Sequence, residues 1–183
     1  MRLVFLVALL LCFSPSLAAT VLLPADFRQI VEGSQIIVYG RVTDVRAEWT
    51  SGRRRIESVV TVSASDFYKG TPSRTVTIRV PGGQIGRYKS VMVGAPEFNA
   101  GDEVVLFLKA QGPAVPRIFG LNQGVFRVSV HPRSGRRLVT VPILSPRGVT
   151  REIVQRGASH RRPLPLTQFA GQVKAVVQQG GVR

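Results

Sequence analysis

From Ile36 onward the chain alternates with a period of two, and this restricts its fold more than any other feature. Ile36, Val38, Gly40 and Val42 fall on one side of an extended segment; Ile37, Tyr39, Arg41 and Thr43 fall on the other. A helix would instead repeat its apolar positions every three or four residues. The spacing predicts a long first strand to about Trp49, with Gly40 marking a bulge or bend in its middle. "TSGRRR" then reads as a solvated hairpin tip, and a second strand over 56–68 carries Val60, Val62 and Ala64 on one face. "KGTPS" turns the chain into a third strand, where Val76, Ile78 and Val80 alternate with Thr75, Thr77 and Arg79. In "GDEVVLFLK" every position from Val104 to Leu108 is apolar, which predicts a central strand with no solvent side. "RIFGLNQGVFRVSVH" supplies two more strands around a turn at 121–124, and "PRSGRR" with "LVTVP" completes a hairpin.

Helical signals are confined to the two ends. In "LPADFRQIVEGSQ", Pro24 suits a first turn, Asp26 favours its positive end, and Phe27, Ile30 and Val31 share a face before Gly33. Past Pro142, "SPRGVTREIVQRGASHRRPLPL" sustains no period; Thr167 then reads as the N-cap of a closing helix with Phe169, Val173, Val176 and Val177 on one face and a stop at Gly180. The expectation is a mainly β fold: a small antiparallel OB-like barrel of six or seven strands, with a short helix at each end.

The first eighteen residues differ in kind. Arg2 precedes an apolar run over 3–13 and then "SPSLAAT", the layout of a secretory leader, too short to cross a bilayer. Small residues at Ser16 and Ala18 place cleavage after Ala18, so that the mature chain begins at Ala19. No later stretch is long and uncharged enough for a transmembrane segment. The domain plan is therefore a signal peptide over 1–18, a barrel over 19–142, and a basic Pro/Arg-rich extension over 143–183 whose closing helix packs on the barrel. The expected location is exported, periplasmic or extracellular. Cys12 is the single cysteine and lies in the leader, with Leu11 where a lipid-attachment motif needs Gly or Ala. Disulfides within the mature chain are thereby excluded.

Charge is the dominant compositional signal: 25 Lys and Arg against 10 Asp and Glu, a formal net charge of +15. Such a balance speaks to solubility and polyanion affinity and not to fold. The basic side chains cluster on predicted loops, at Arg53, Arg54 and Arg55, at Arg133, Arg136 and Arg137, and at Arg161 and Arg162. Two readings stand side by side, a generic solvated surface and a polyanion site formed by Arg133, Arg136, Arg137, Arg161 and Arg162. Nucleic acid is disfavoured, because single-strand binding needs aromatic platforms as well as charge, and Tyr39, Trp49, Tyr68 and Tyr88 are few and scattered. An anionic envelope polymer or an exported protein fits the expected location better.

"RVPGGQIGRY" raises the question of a phosphate loop. A nucleotide-binding loop needs a Lys and then a hydroxyl after the last glycine, and here Gly86 is followed by Arg87 and Tyr88. The segment reads as a tight corner in which glycine supplies positive φ after Pro81. The two histidines, His131 and His160, are 29 residues apart, with no metal-ligand spacing around them. His131 reads as an exposed strand residue, and Ser159 and His160 adjoin only in sequence. Asp102 and Glu103 are adjacent strand residues, so their side chains point to opposite faces and make poor acid–base partners. No catalytic set, metal site or cofactor motif emerges.

The ordered segments "SQIIVYGRVTDV", "VSASDFYKG", "TVTIRVPGGQIG", "AGDEVVLFL" and "GLNQGVFRV", over roughly 34–130, resemble a widespread family of exported bacterial proteins of unknown function. More distantly, the order of elements is similar to the OB-type barrel of the netrin-like and tissue-inhibitor-of-metalloproteinase superfamily. The chain as a whole reads as an exported single-domain binding or interaction module of unknown specificity; the resemblance implies a secreted metalloprotease as one partner class, and a regulator or inhibitor of such a protease is the first alternative. Those inhibitors place an N-terminal cysteine on the protease zinc; this chain has no counterpart to it, so that mechanism does not carry over. A hydrolase with an unrecognised site is the remaining alternative.

Overall fold

The computed structural model describes residues 25–110, 115–140 and 163–180. The leader, the cleavage site at Ala18 and Ala19, His160, Arg161 and Arg162 lie outside these residues.

Helix α1 (Phe27–Glu32) opens with a reciprocal cap: the Asp26 side chain accepts from the Gln29 N–H, and the Gln29 side chain accepts from the Asp26 N–H. Asp26 is thus the cap itself, one residue before the first turn. A 14-residue strand β1 (Ile36–Trp49) then pairs antiparallel with β2 (Ile56–Lys69), which pairs with β3 (Thr75–Pro81). The short strands β4 (Gly83–Ile85) and β5 (Tyr88–Ser90) form a separate two-stranded hairpin. Strand β6 (Glu103–Lys109) returns alongside β1 and also pairs with the two-residue β7 (Arg117–Ile118) and with β8 (Val125–Val130). Next come β9 (Arg137–Thr140) and β10 (Leu164–Pro165), then helix α2 (Leu166–Gly180). The order β10-β9-β8-β6-β1-β2-β3, with β7 beside β6, makes one antiparallel sheet of eight strands.

Both faces of this sheet are covered, and the alternation of β6 shows how. Val104, Leu106 and Leu108 enter an inner core with Val38, Val42, Val60, Val62, Val76, Ile78 and Val80. Val105 and Phe107 enter an outer core with Ile37, Phe126 and Val128, where α1 and α2 contribute Ile30, Val31, Phe169 and Val173. Phe27, Phe107, Phe126 and Phe169 interlock there with centroid separations of 5.0 to 6.3 Å. Burying each such side chain contributes about 1.5–3 kcal/mol. The strand expected to lack a solvent side does lack one.

Strand β1 keeps its inner residues aligned past the middle by bulging. Val42 faces Val62 and Asp44 faces Thr61, so Thr43 is the extra residue. The shift returns Val45, three positions after Val42, to the inner core. Gly40 sits at another register shift, where an added Cβ would lie 2.3 Å from the Ser63 carbonyl oxygen. The close approach of two backbones explains the glycine that the sequence placed in mid-strand.

Three expectations need correction. The sheet does not close into a barrel: β3 and β10 are its two edges. It does curl, bringing β3 within 8 Å of β7 between Cα atoms, but β7 is two residues long and its ladder goes to β6. The strand count exceeds six or seven because β10 and the β4–β5 hairpin are too short to carry a period. Thr167 lies inside α2, which starts at Leu166 directly after Pro165, so it is not the N-cap.

Candidate binding surface

The glycine corner builds one end of the molecule. Gly82 N–H donates to the Ile56 carbonyl (3.1 Å) and Ser58 Oγ donates to the Gly82 carbonyl (2.8 Å), extending the β2–β3 ladder past Pro81. Gly83 has φ +144°, and a Cβ there would meet Ser58 Oγ at 2.9 Å and Ala47 Cβ at 3.2 Å. The glycines therefore let the β4–β5 hairpin fold down against β1 and β2. They turn the chain through positive φ, as the sequence reading expected.

Residues 91–99 leave this hairpin and run along a groove of about 250 Å³. Val45, Ser58 and Val60 line it from the sheet, Gly82 and Gly83 from the corner, and Pro96 and Phe98 from the returning segment. Val91 and Met92 also line it, and with Val93, the next residue in the chain, they are all exposed: Val91 by 72%, Met92 by 43% and Val93 by 84%. Tyr88 is half exposed and meets the Trp49 ring edge to face at 5.6 Å, while the Arg87 guanidinium lies 5.2 Å from the Tyr88 ring centroid. The aromatic residues are thus less scattered than the sequence suggested. Tyr68 is buried and Tyr39 bonds to Glu103, but Trp49 and Tyr88, 39 positions apart, form one unit.

The predicted basic residues are divided by the fold. Arg133 and Arg136 lie exposed in the β8–β9 turn, and Arg53, Arg54 and Arg55 in the β1–β2 tip, where a 3-10 turn (Ser51–Arg53) is closed by Thr50 N–H donating to the Arg55 carbonyl. Arg137 behaves differently: its Nε donates to Glu103 Oε2 at 3.0 Å. Glu103 also accepts from the Tyr39 hydroxyl at 2.8 Å and from Arg41, and its own side chain is only 10% exposed. Burial works against the charged carboxylate, but the Tyr39 bond and the Arg137 and Arg41 charges outweigh it and hold Glu103 below its ordinary value. Burial, then the bond to Glu103, pushes the Tyr39 hydroxyl up. Sequence reasoning missed this cluster, since its members come from β1, β6 and β9. Asp102, the neighbour, turns away to Arg127 at 2.7 Å, so the two adjacent carboxylates do serve separate networks.

His131 is exposed just beyond β8, with Nδ1 3.1 Å from Ser134 Oγ in the same turn. Both side chains stand in open solvent, unlike the water-excluded setting that strengthens catalytic electrostatics. Among the described residues no three His, Cys, Asp or Glu side chains are grouped to hold a metal, and no helix is long and apolar enough to cross a membrane. Comparison with protein-family models, curated protein sequences and solved structures returned no match.

Proposed function

We propose that the chain is an exported binding module on an OB-like sheet, meeting its ligand with the end formed by the glycine corner and residues 91–93. The observation that carries this is the contiguous exposure of Val91, Met92 and Val93 beside a groove. Single apolar side chains on a surface mean little, whereas an adjacent set rimmed by polar groups is the mark of an interaction site. The OB-like reading is supported by the curl that brings β3 towards β7, and barrels of that type bind with one open face. Export is supported by the apolar run and small residues of the leader.

A secreted metalloprotease, implied by the family resemblance, is one partner class for this end. An anionic polymer on the β8–β9 turn is the weaker reading, because Arg137 is already matched by Glu103. A hydrolase is weaker still, with His131 and Ser134 open to water.

Photo-crosslinking tests the binding end. A photoreactive residue replacing Val93 in the exported protein should give defined adducts in its native compartment, and one replacing Thr71, in the exposed turn at the other end of β2, should not. Equal adducts from both positions, or adducts only from a probe at Arg133, would overturn the assignment.

A further inference from the structure

We infer that this end docks on an anionic lipid surface, residues 91–93 entering the boundary between headgroups and acyl chains; the inference rests on the binding end proposed above and names its ligand. Two independent features converge there. The first is apolar protrusion: Val93 is 84% and Val91 72% exposed, more than any other large apolar side chain among the described residues. Half-exposed Tyr88, braced by Trp49, stands one hairpin strand away. An apolar tip with an amphipathic aromatic ring beside it is the composition that settles at a membrane interface.

The second feature is charge. Lys89 and Arg87 flank Tyr88 and are exposed. Arg53, Arg54 and Arg55 project from the tip that follows Trp49, whose ring touches Tyr88, so they belong to the same end. The neighbouring acids are largely matched internally: Glu48 pairs with Arg46 and Arg79, and Glu57 with Arg79. Among the described residues that line the groove, Glu97 is the one acid. Basic side chains next to an anionic leaflet each strengthen attachment by about fivefold, and apolar insertion adds a component that salt does not screen. An anionic bilayer supplies both a continuous anionic plane and an apolar layer beneath it, and the pairing of basic side chains with an apolar tip favours it.

Vesicle flotation decides it, with exported protein whose N-terminus has been sequenced to show that the apolar leader is gone. Vesicles of phosphatidylcholine with about one-third phosphatidylglycerol should carry the protein at low salt, and pure phosphatidylcholine vesicles should bind it at least tenfold more weakly. The pair Val91→Ser with Val93→Ser should reduce binding by about tenfold or more. Replacing Arg53, Arg54 and Arg55 by Gln should weaken it further and flatten its dependence on salt. Arg133→Gln with Arg136→Gln should leave it unchanged. Three results would overturn the inference: no binding to the anionic vesicles, binding indifferent to the valine substitutions, or equal losses from both arginine sets. If crosslinks from position 93 persist while vesicles fail, the binding end stands and its ligand is a protein.

Discussion

Trp49 and Tyr88 meet edge to face at 5.6 Å, joining the end of β1 to the β4–β5 hairpin. Trp49 is the chain's single tryptophan, so its emission reports on this contact alone. Tyr88→Ala should shift that emission to the red and cost about 0.5–1.5 kcal/mol, read by fluorescence and urea denaturation. Unchanged emission would mean that the hairpin is not seated on β1.

Gly83→Val tests whether the glycine corner is structural. The added side chain meets Ser58 and Ala47 and must adopt φ +144°, a strain of about 1–3 kcal/mol. The thermal midpoint should fall. A variant that kept its midpoint and lost ligand would show instead that the corner contacts the ligand.

Glu103 predicts a specific acid response. Its folded value lies below the ordinary one, so its stabilisation is complete above the unfolded carboxyl value and is lost as pH falls through the folded value. Glu103→Gln leaves Arg41 and Arg137 unmatched and should cost about 1–3 kcal/mol at neutral pH. Urea denaturation of both proteins from neutral to acid should show the gap closing below the ordinary glutamate range.

The arginines of the β8–β9 hairpin should separate into two kinds. Arg133→Gln and Arg136→Gln, exposed in the turn, should change stability by less than about 0.5 kcal/mol. Arg137→Gln loses its bond to Glu103 and should cost more than either, by a margin that shrinks as salt rises. Heparin titration across salt concentrations would show whether Arg133 and Arg136 also set a polyanion slope. Identical stability losses from all three would contradict the Glu103 network.

Those contrasts mark what could be read in advance. The period of two placed Val76, Ile78 and Val80 inward and found both faces of β6, because burial on a strand obeys local alternation. Gly40 and the glycine corner were legible for the same reason: backbone geometry is a local demand. Illegible were contacts set by register between distant strands, such as Arg137 with Glu103 or Trp49 with Tyr88. Residues 91–93 carry no such signal, since an apolar triplet in the sequence does not disclose whether anything covers it. Strand β10 has two residues, too few to alternate, and Thr167 resembles a cap although the helix starts at Leu166, two residues before the start that such a cap would set.

Because neighbouring residues of β6 belong to different cores, the inner and outer layers share one backbone. Opening the helices from the outer face exposes Val105 and Phe107 and loosens the strand that also holds Leu106. The sheet and its two helices should therefore unfold as one cooperative unit, with the slowest amide exchange in β6 and the facing half of β1. Tension applied at α2 would then reach the interior through β6, leaving the β4–β5 hairpin, which shares no ladder with it, free to move on its own timescale.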